Sequence, residues 1–189
     1  MASEYYRTFI GLPVQVDNNF MGALKILTRA LEEERITWVQ ARNFHLTLRF
    51  LGKTSISDVN DIHSALDGVD LPSEIPAEIS GPGSFGPQSK PRVIWTGFRN
   101  EEPFIRLKNE VKRILGLLNY PAFEGIFTPH LTLGRIRGLK DVAGYYRILE
   151  SVKDQFTGIV NISELVFYRS TLGTGGPEYS RLGVWKLDP

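Results

Sequence analysis

The tetrapeptide His-Leu-Thr-Leu occurs twice, as His45-Leu46-Thr47-Leu48 and, 85 residues later, as His130-Leu131-Thr132-Leu133. Successive side chains of an extended strand point to opposite faces, so each copy puts His and Thr on one face and both leucines on the other. A strand buried on one side needs apolar residues at alternate positions, which the leucines supply. Core packing asks for nothing like a histidine and a threonine on the opposite face, still less for the same pair twice. The repeat therefore demands a fold that buries the leucine face of two strands and opens both polar faces.

The remaining residues bound what that fold can be. A chain of 189 residues has the mass for one domain or two intimately packed lobes with a sizeable core. With 42% hydrophobic and 23% charged residues and a net charge of +1, the composition is that of a globular chain. It argues against disorder, against a membrane span, and against wrapping a long duplex, which takes many Lys and Arg. The lack of cysteine excludes disulfides, thiolate metal sites and a cysteine nucleophile, and fits a reducing compartment. The N-terminal residues carry an acid and no signal-like apolar run, so the expectation is a cytoplasmic protein without a membrane partner.

In chain order, Tyr5 to Leu12 reads as a strand, followed by a helix whose Phe20, Ala23, Leu24, Leu27, Ala30 and Leu31 recur at helical spacing behind a cap at Asp17 or Asn18. Trp38 and Val39 lead into the His45 strand, expected to stop at Gly52. Ser57 and Asp58 open a second helix ended by Gly68, and Leu71 to Gly86 reads as an irregular strand with a Pro/Gly-rich turn. The second half repeats the order: a strand at Arg92 to Phe98, a helix begun by Pro103, the His130 strand, and a helix begun by Lys140 and Asp141. Strands at Gly158 to Tyr168 and Ser180 to Leu187 complete the reading.

Phe9 precedes His45 by 36 residues and Trp95 precedes His130 by 35, which suggests an internal duplication with the halves meeting near residues 86–92. The expected fold is α+β: a single bilobal domain over residues 1–189, with two pseudo-symmetric halves of mainly antiparallel sheet lining a central cleft and helices outside. No Gly-rich dinucleotide fingerprint occurs. Facing lobes would bring both histidine faces to one cleft. His63, the third histidine, lies in the second helix with no threonine partner and no echo in the other half, and is expected to be a partly exposed helix residue.

Histidine, with an ordinary pKa of about 6.5, is the side chain best suited to act as base and acid in one site near neutral pH. Attack on a phosphodiester needs that pair. One imidazole takes a proton from the nucleophile, the other gives one to the leaving oxygen, and hydroxyls donate to the non-bridging oxygens as charge builds. His45 and His130 are thus the candidate catalytic residues, with Thr47 and Thr132 as phosphate donors. No cluster of His, Cys and carboxylates at metal-ligand spacing is visible, so neither metal nor cofactor is expected, and no Gly-x-Ser-x-Gly nucleophile elbow occurs.

The two motifs, in Phe44-His-Leu-Thr-Leu-Arg-Phe-Leu-Gly52 and Phe127-Thr-Pro-His-Leu-Thr-Leu-Gly-Arg135, resemble those of the two-histidine phosphoesterase superfamily. With Arg7-Thr-Phe-Ile-Gly11, Pro91-Arg-Val-Ile-Trp95, Tyr168-Arg-Ser-Thr-Leu172, Gly176-Pro177 and Tyr179, the chain resembles more narrowly the LigT-like RNA 2′,3′-cyclic phosphodiesterases, once named 2′-5′ RNA ligases. The resemblance implies a bilobal α+β fold with a V-shaped cleft, and metal-independent hydrolysis of an RNA 2′,3′-cyclic phosphate end, or a nucleoside 2′,3′-cyclic phosphate, to a 2′-phosphate, with reverse ligation as an accompanying activity. It gives His45 the proton to the departing 3′ oxygen and His130 the activation of water, although the symmetry of the motifs leaves acid and base interchangeable on sequence alone. It also implies a phosphate contact from Arg135, and base stacking from Phe9 and Phe50. Strict alternation from His130 puts Arg135 on the leucine face unless a bulge near Gly134 flips the parity; Arg49 has the parity of His45 and Thr47 and is a second phosphate candidate. The alternative from another class is a non-catalytic module that holds an RNA end or nucleotide in the same cleft. Two titratable groups favour catalysis, since binding alone is served by Arg or Lys. A monomer is expected.

Overall fold

The computed structural model describes residues 5–120, 125–173 and 176–188. One continuous nine-stranded sheet runs through it in the order β7-β4-β5-β6-β3-β1-β8-β9, with β2 laid on β6. The strands are β1 (Tyr5–Pro13), β2 (Arg35–Trp38), β3 (His45–Ser55), β4 (Ile75–Phe85), β5 (Val93–Phe98), β6 (His130–Gly138), β7 (Ile159–Ile162), β8 (Glu164–Gly173) and β9 (Gly176–Lys186). Every pairing between these strands is antiparallel. The four helices are α1 (Asn18–Ala30), α2 (Ile56–Leu66), α3 (Glu102–Leu117) and α4 (Val142–Val152). The fold is α+β, as the motif pattern requires.

The helices form where apolar spacing meets a cap. Asp17 accepts from the Phe20 N–H at the head of α1, and Asp141 accepts from Gly144 at the head of α4. At α2 the cap is Ser55, two residues ahead of the expected opening at Ser57, because Ser55 and Asp58 form a reciprocal capping box. The buried faces Phe20, Leu24 and Leu27 of α1, Phe104, Leu107 and Val111 of α3, and Tyr145, Leu149 and Val152 of α4 join one core. Leu46, Leu48, Leu131 and Leu133 belong to that same core. The helices thus cover the leucine face and leave the histidine face to solvent.

The two motif strands meet at the middle of the sheet. Leu46 of β3 pairs with Leu131 of β6, both fully buried. That antiparallel register, carried one residue either way, sets His45 beside Thr132 and Thr47 beside His130 on the opposite face. The outer strands cross over between the sequence halves: β4 pairs with β5, and β8 pairs with β1.

Several boundaries differ from the sequence expectation. β3 passes through Gly52 to Ser55, because Gly52 takes φ 75° and a register slip against β1 absorbs it as an irregularity instead of ending the strand. The Pro/Gly-rich stretch forms the 11-residue strand β4; its Gly81 and Pro82 sit at a register shift, where a missing N–H disrupts nothing. The stretch from Gly158 to Tyr168 is two strands broken at Ser163, whose carbonyl accepts from Leu187. The last strand begins at Gly176 rather than Ser180, since β9 forms a hairpin with β8 along most of its length. Four-residue β2 is an added strand.

Leu46→Ala and Leu131→Ala are each expected to cost about 2 to 5 kcal/mol in urea unfolding. Packed against one another across the central pair, they should couple by about 0.5 to 3 kcal/mol in a double-mutant cycle. Strictly additive losses would show that the two side chains do not share a site.

Candidate active site

His45 and His130 each open their strand, and each ring is held in the same way. The Nδ1 of His45 lies 2.7 Å from the Asn43 carbonyl and the Nδ1 of His130 lies 2.7 Å from the Thr128 carbonyl. A carbonyl only accepts, so both Nδ1 atoms carry the hydrogen and both Nε2 atoms hold the lone pair. The proton-transfer atom of each ring is thereby defined by a backbone contact two residues upstream.

Aromatic rings wall both imidazoles. Phe9 at 4.8 Å and Tyr179 at 5.1 Å flank His45, with Tyr168 at 6.1 Å. Phe85 stands edge-on to His130 at 4.7 Å, backed by Trp95, which stacks on Phe85 at 4.9 Å. Burial among these rings disfavours the charged imidazolium. It pushes His45 down to about 4, helped by the nearby His130 and Arg135 and opposed by the Asn43 carbonyl. His130 is lowered for the same first reason and by Arg135, against the Thr128 carbonyl. Burial thus favours the neutral form of both rings.

A cavity of about 420 Å³ opens over this face, and His45, Thr47, His130 and Thr132 all line it. Arg135 lines it too. The bulge that the parity of β6 requires is present: Ile94 pairs with Gly134 and Trp95 with Thr132, so Leu133 is the extra residue and Arg135 returns to the histidine side. Arg49 lines a second cavity of about 400 Å³, which shares Thr47, Phe50, Phe85 and His130 with the first, and partial burial lowers its pKa. Phe50, 64% exposed, borders both cavities. Phe9 does not reach the surface: at 3% exposure it lies under His45, stacked on Tyr168, and so supports the ring instead of offering a face to a base. His63 is remote from both cavities, half-buried on α2 against Trp185.

The structure adds residues that spacing alone did not assign. Arg7, Trp38, Arg42 and Tyr179 line the main cavity, brought from β1, β2, the turn before β3 and β9. Burial raises the Tyr179 phenol, and Arg135 and Arg7 oppose that rise, which places its hydroxyl in a cationic environment. Arg7 and Tyr179 stand in stretches that carried the family resemblance, a signal that marked them without giving them a place. Among the described residues no three His, Cys, Asp or Glu side chains gather as metal ligands, and no helix is long and apolar enough to cross a membrane.

Two imidazoles of matched tautomer and two hydroxyls line one cavity beside an arginine, the set of groups that phosphoester chemistry calls for. The chain belongs to the LigT-like phosphoesterases. The family model described as LigT like Phosphoesterase matches residues 10–95. The RNA 2′,3′-cyclic phosphodiesterase of Aeropyrum pernix is 32% identical over 145 residues, covering 76% of this chain and 82% of the relative. That of Thermotoga maritima is 31% identical over 180 residues, covering 93% and 92%. Among solved structures, a Thermus thermophilus protein superposes with a TM-score of 0.72 at 22% identity, covering 96% of this chain and 97% of that one. E. coli LigT in its apo form gives a TM-score of 0.68 at 22% identity, covering 99% and 100%.

The neutrality of His45 has a consequence for stability. A folded ring with a pKa of about 4 releases its proton where an unfolded one at 6.5 keeps it. The unfolded chain therefore binds more protons between those values, and stability falls as pH drops through that window, levelling below about 4. At about 1.4 kcal/mol per pH unit the loss is bounded near 3 kcal/mol. Urea unfolding at pH 7 and pH 4.5 should show a smaller pH dependence in His45→Gln than in wild type; equal dependence would place His45 in a more solvated state than the structure gives it.

Proposed function

We propose that the chain is a metal-independent RNA 2′,3′-cyclic phosphodiesterase that leaves a 2′-phosphate and a free 3′-hydroxyl. The observation that carries the reading is that His45 and His130, each with Nδ1 held by a backbone carbonyl and Nε2 left free to move a proton, line one cavity together with Thr47 and Thr132. Names borne by the curated relatives point the same way. The cyclic phosphate sits across the threonine hydroxyls, which donate to its non-bridging oxygens, and the Arg135 guanidinium balances its charge. His130 takes a proton from water as the oxygen attacks phosphorus. The bond from phosphorus to O3′ breaks, and His45 gives O3′ the proton it needs. One water is consumed, and the enzyme ends with His130 protonated and His45 neutral; His130 loses its proton to solvent and His45 regains one before the next turnover.

For His45 to act as acid it must be protonated in the complex, although the empty site holds it neutral. The substrate supplies the missing influence, because an anionic phosphate beside the ring favours the imidazolium and offsets Arg135. The threonine hydroxyls add the selectivity for a growing oxyanion that a neutral ring pair lacks.

A short oligonucleotide ending in a 2′,3′-cyclic phosphate, assayed in EDTA with the product phosphate located, is the direct test. Turnover to the 2′-phosphate is expected; activity that vanishes in EDTA and returns with a divalent ion would overturn the mechanism. His45→Ala and His130→Ala should each lower turnover at least about 10²-fold, and Thr47→Val and Thr132→Val about 10- to 10³-fold, while His63→Ala changes little. If the cleft only binds RNA ends, no variant will alter a rate because wild type will show none.

The pH profiles should separate free from loaded enzyme. The bell of kcat/KM reports the empty site, where both histidines are depressed, and should centre below pH 6.5; that of kcat reports the complex and should lie at higher pH. Coincident bells would show that the phosphate does not alter the imidazoles.

A further inference from the structure

Beyond the main cavity a groove of about 680 Å³ runs along the far half of β6, and the two meet at Arg135 and Val93, which line both. Its charged lining is Lys90, Arg92, Arg135 and Arg137, with no Asp or Glu. Among the described residues none of these four cations is ion-paired, whereas seven other Lys and Arg side chains are. On a chain whose net charge is only +1, four uncompensated cations in one groove are a concentration of positive potential. The sheet fixes their layout. Val93 pairs with Arg135, and the Ile136 N–H donates to the Arg92 carbonyl at 2.8 Å, so the two arginine-bearing segments run side by side. Arg135 and Arg137 stand two residues apart on one strand, about 7 Å along it, a spacing suited to successive phosphates of an extended single strand.

From this we propose that the groove holds the RNA backbone upstream of the reacting end, so that Lys90, Arg92 and Arg137 give an oligoribonucleotide contacts that a mononucleoside cyclic phosphate cannot reach. The inference rests on the phosphodiesterase reading and extends it to the path of the RNA chain. Arg135 is the hinge of the arrangement: it faces the reacting phosphate on one side and begins the phosphate track on the other. Exposed arginines and lysines along a backbone give affinity without base selection, so the track accepts any sequence. The second cavity is the competing path. It carries Arg49, Lys108 and Lys112, but these stand among Leu48, Phe50, Phe85, Ile126 and Phe127, apolar walls that suit a base better than a chain of anions.

The test compares wild type, the triple variant Lys90→Gln/Arg92→Gln/Arg137→Gln and the double variant Lys108→Gln/Lys112→Gln. Each acts on uridine 2′,3′-cyclic phosphate and on a five-nucleotide RNA with the same end. The triple variant should turn over the mononucleotide as wild type does and lose about 10- to 100-fold in kcat/KM on the pentamer. Its dependence on salt should flatten by about 0.7 in the log–log slope for each phosphate contact removed. Equal losses on both substrates, no loss on either, or a pentamer-specific loss confined to the double variant would each overturn the proposal. Fluorescence anisotropy with a labelled pentamer ending in a 2′-phosphate gives the same comparison as binding. If no protein turns over either substrate, the phosphodiesterase reading fails; weaker, less salt-dependent pentamer binding by the triple variant would still locate RNA in the groove, and unchanged binding would remove it.

Discussion

The structure depends on one register, that between β3 and β6. Leu46 opposite Leu131 is a hydrophobic contact in the middle of the sheet, and its consequence is felt on the other face. Because strand side chains alternate with period two, a slip by one residue in either strand would bury a histidine and expose a leucine. The core therefore selects the only pairing that sets each histidine beside the threonine of the other motif. Burial on one side of the sheet fixes the polar constellation on the other, and the constellation needs no contact of its own to assemble.

The sheet sets positions; the aromatic walls set protonation. Phe9 and Phe85 occupy equivalent posts, one beside His45 and the other beside His130, and each is backed by a second ring, Tyr168 or Trp95. The support for His130 extends to the backbone. A Cβ on Gly83 would come within 2.7 Å of the Trp95 ring, so only glycine lets that indole lie flat on β4 and hold Phe85 in place. Water is kept from the sides of both imidazoles while their Nε2 edges stay open to the cavity.

Much of this was legible in the sequence because it is local. Each helix shows a stripe of apolar residues, opened by a capping side chain at α1, α2 and α4 and by Pro103 at α3, and the alternation within both His-Leu-Thr-Leu motifs gives their faces. Even the bulge that brings Arg135 to the histidine side is foreshadowed by Gly134, as its parity cannot be satisfied otherwise. The misreadings share another cause. Gly52 and Pro82 look like terminators, yet neighbouring strands absorb them as register shifts, and a partner strand is not visible in a local window. Strand β2 is too short to show a period, so Trp38 gave no sign that it lines the cavity. Arg7 and Tyr179 come from opposite ends of the chain and meet His45 only through the β1–β8–β9 order. Phe9 lies on the expected strand but offers no face to a base, because whether a ring faces solvent or a neighbouring ring depends on Tyr168 and Tyr179, which arrive from far downstream.

Arg135 presents an apparent conflict, since the same positive charge that attracts a phosphate also disfavours protonation of both histidines. The conflict resolves in the loaded site. Without a ligand, the guanidinium and the surrounding rings keep both imidazoles neutral, which avoids burying two or three like charges together. In the proposed reaction a phosphate entering between them would carry the compensating negative charge, and the guanidinium that opposes protonation would become its counterion. The site's proton affinity is then conditional on the anion that the reaction consumes. A pair of well-solvated histidines would carry protons independently of substrate; in the proposed reaction, burial and Arg135 tie the acid form to occupancy.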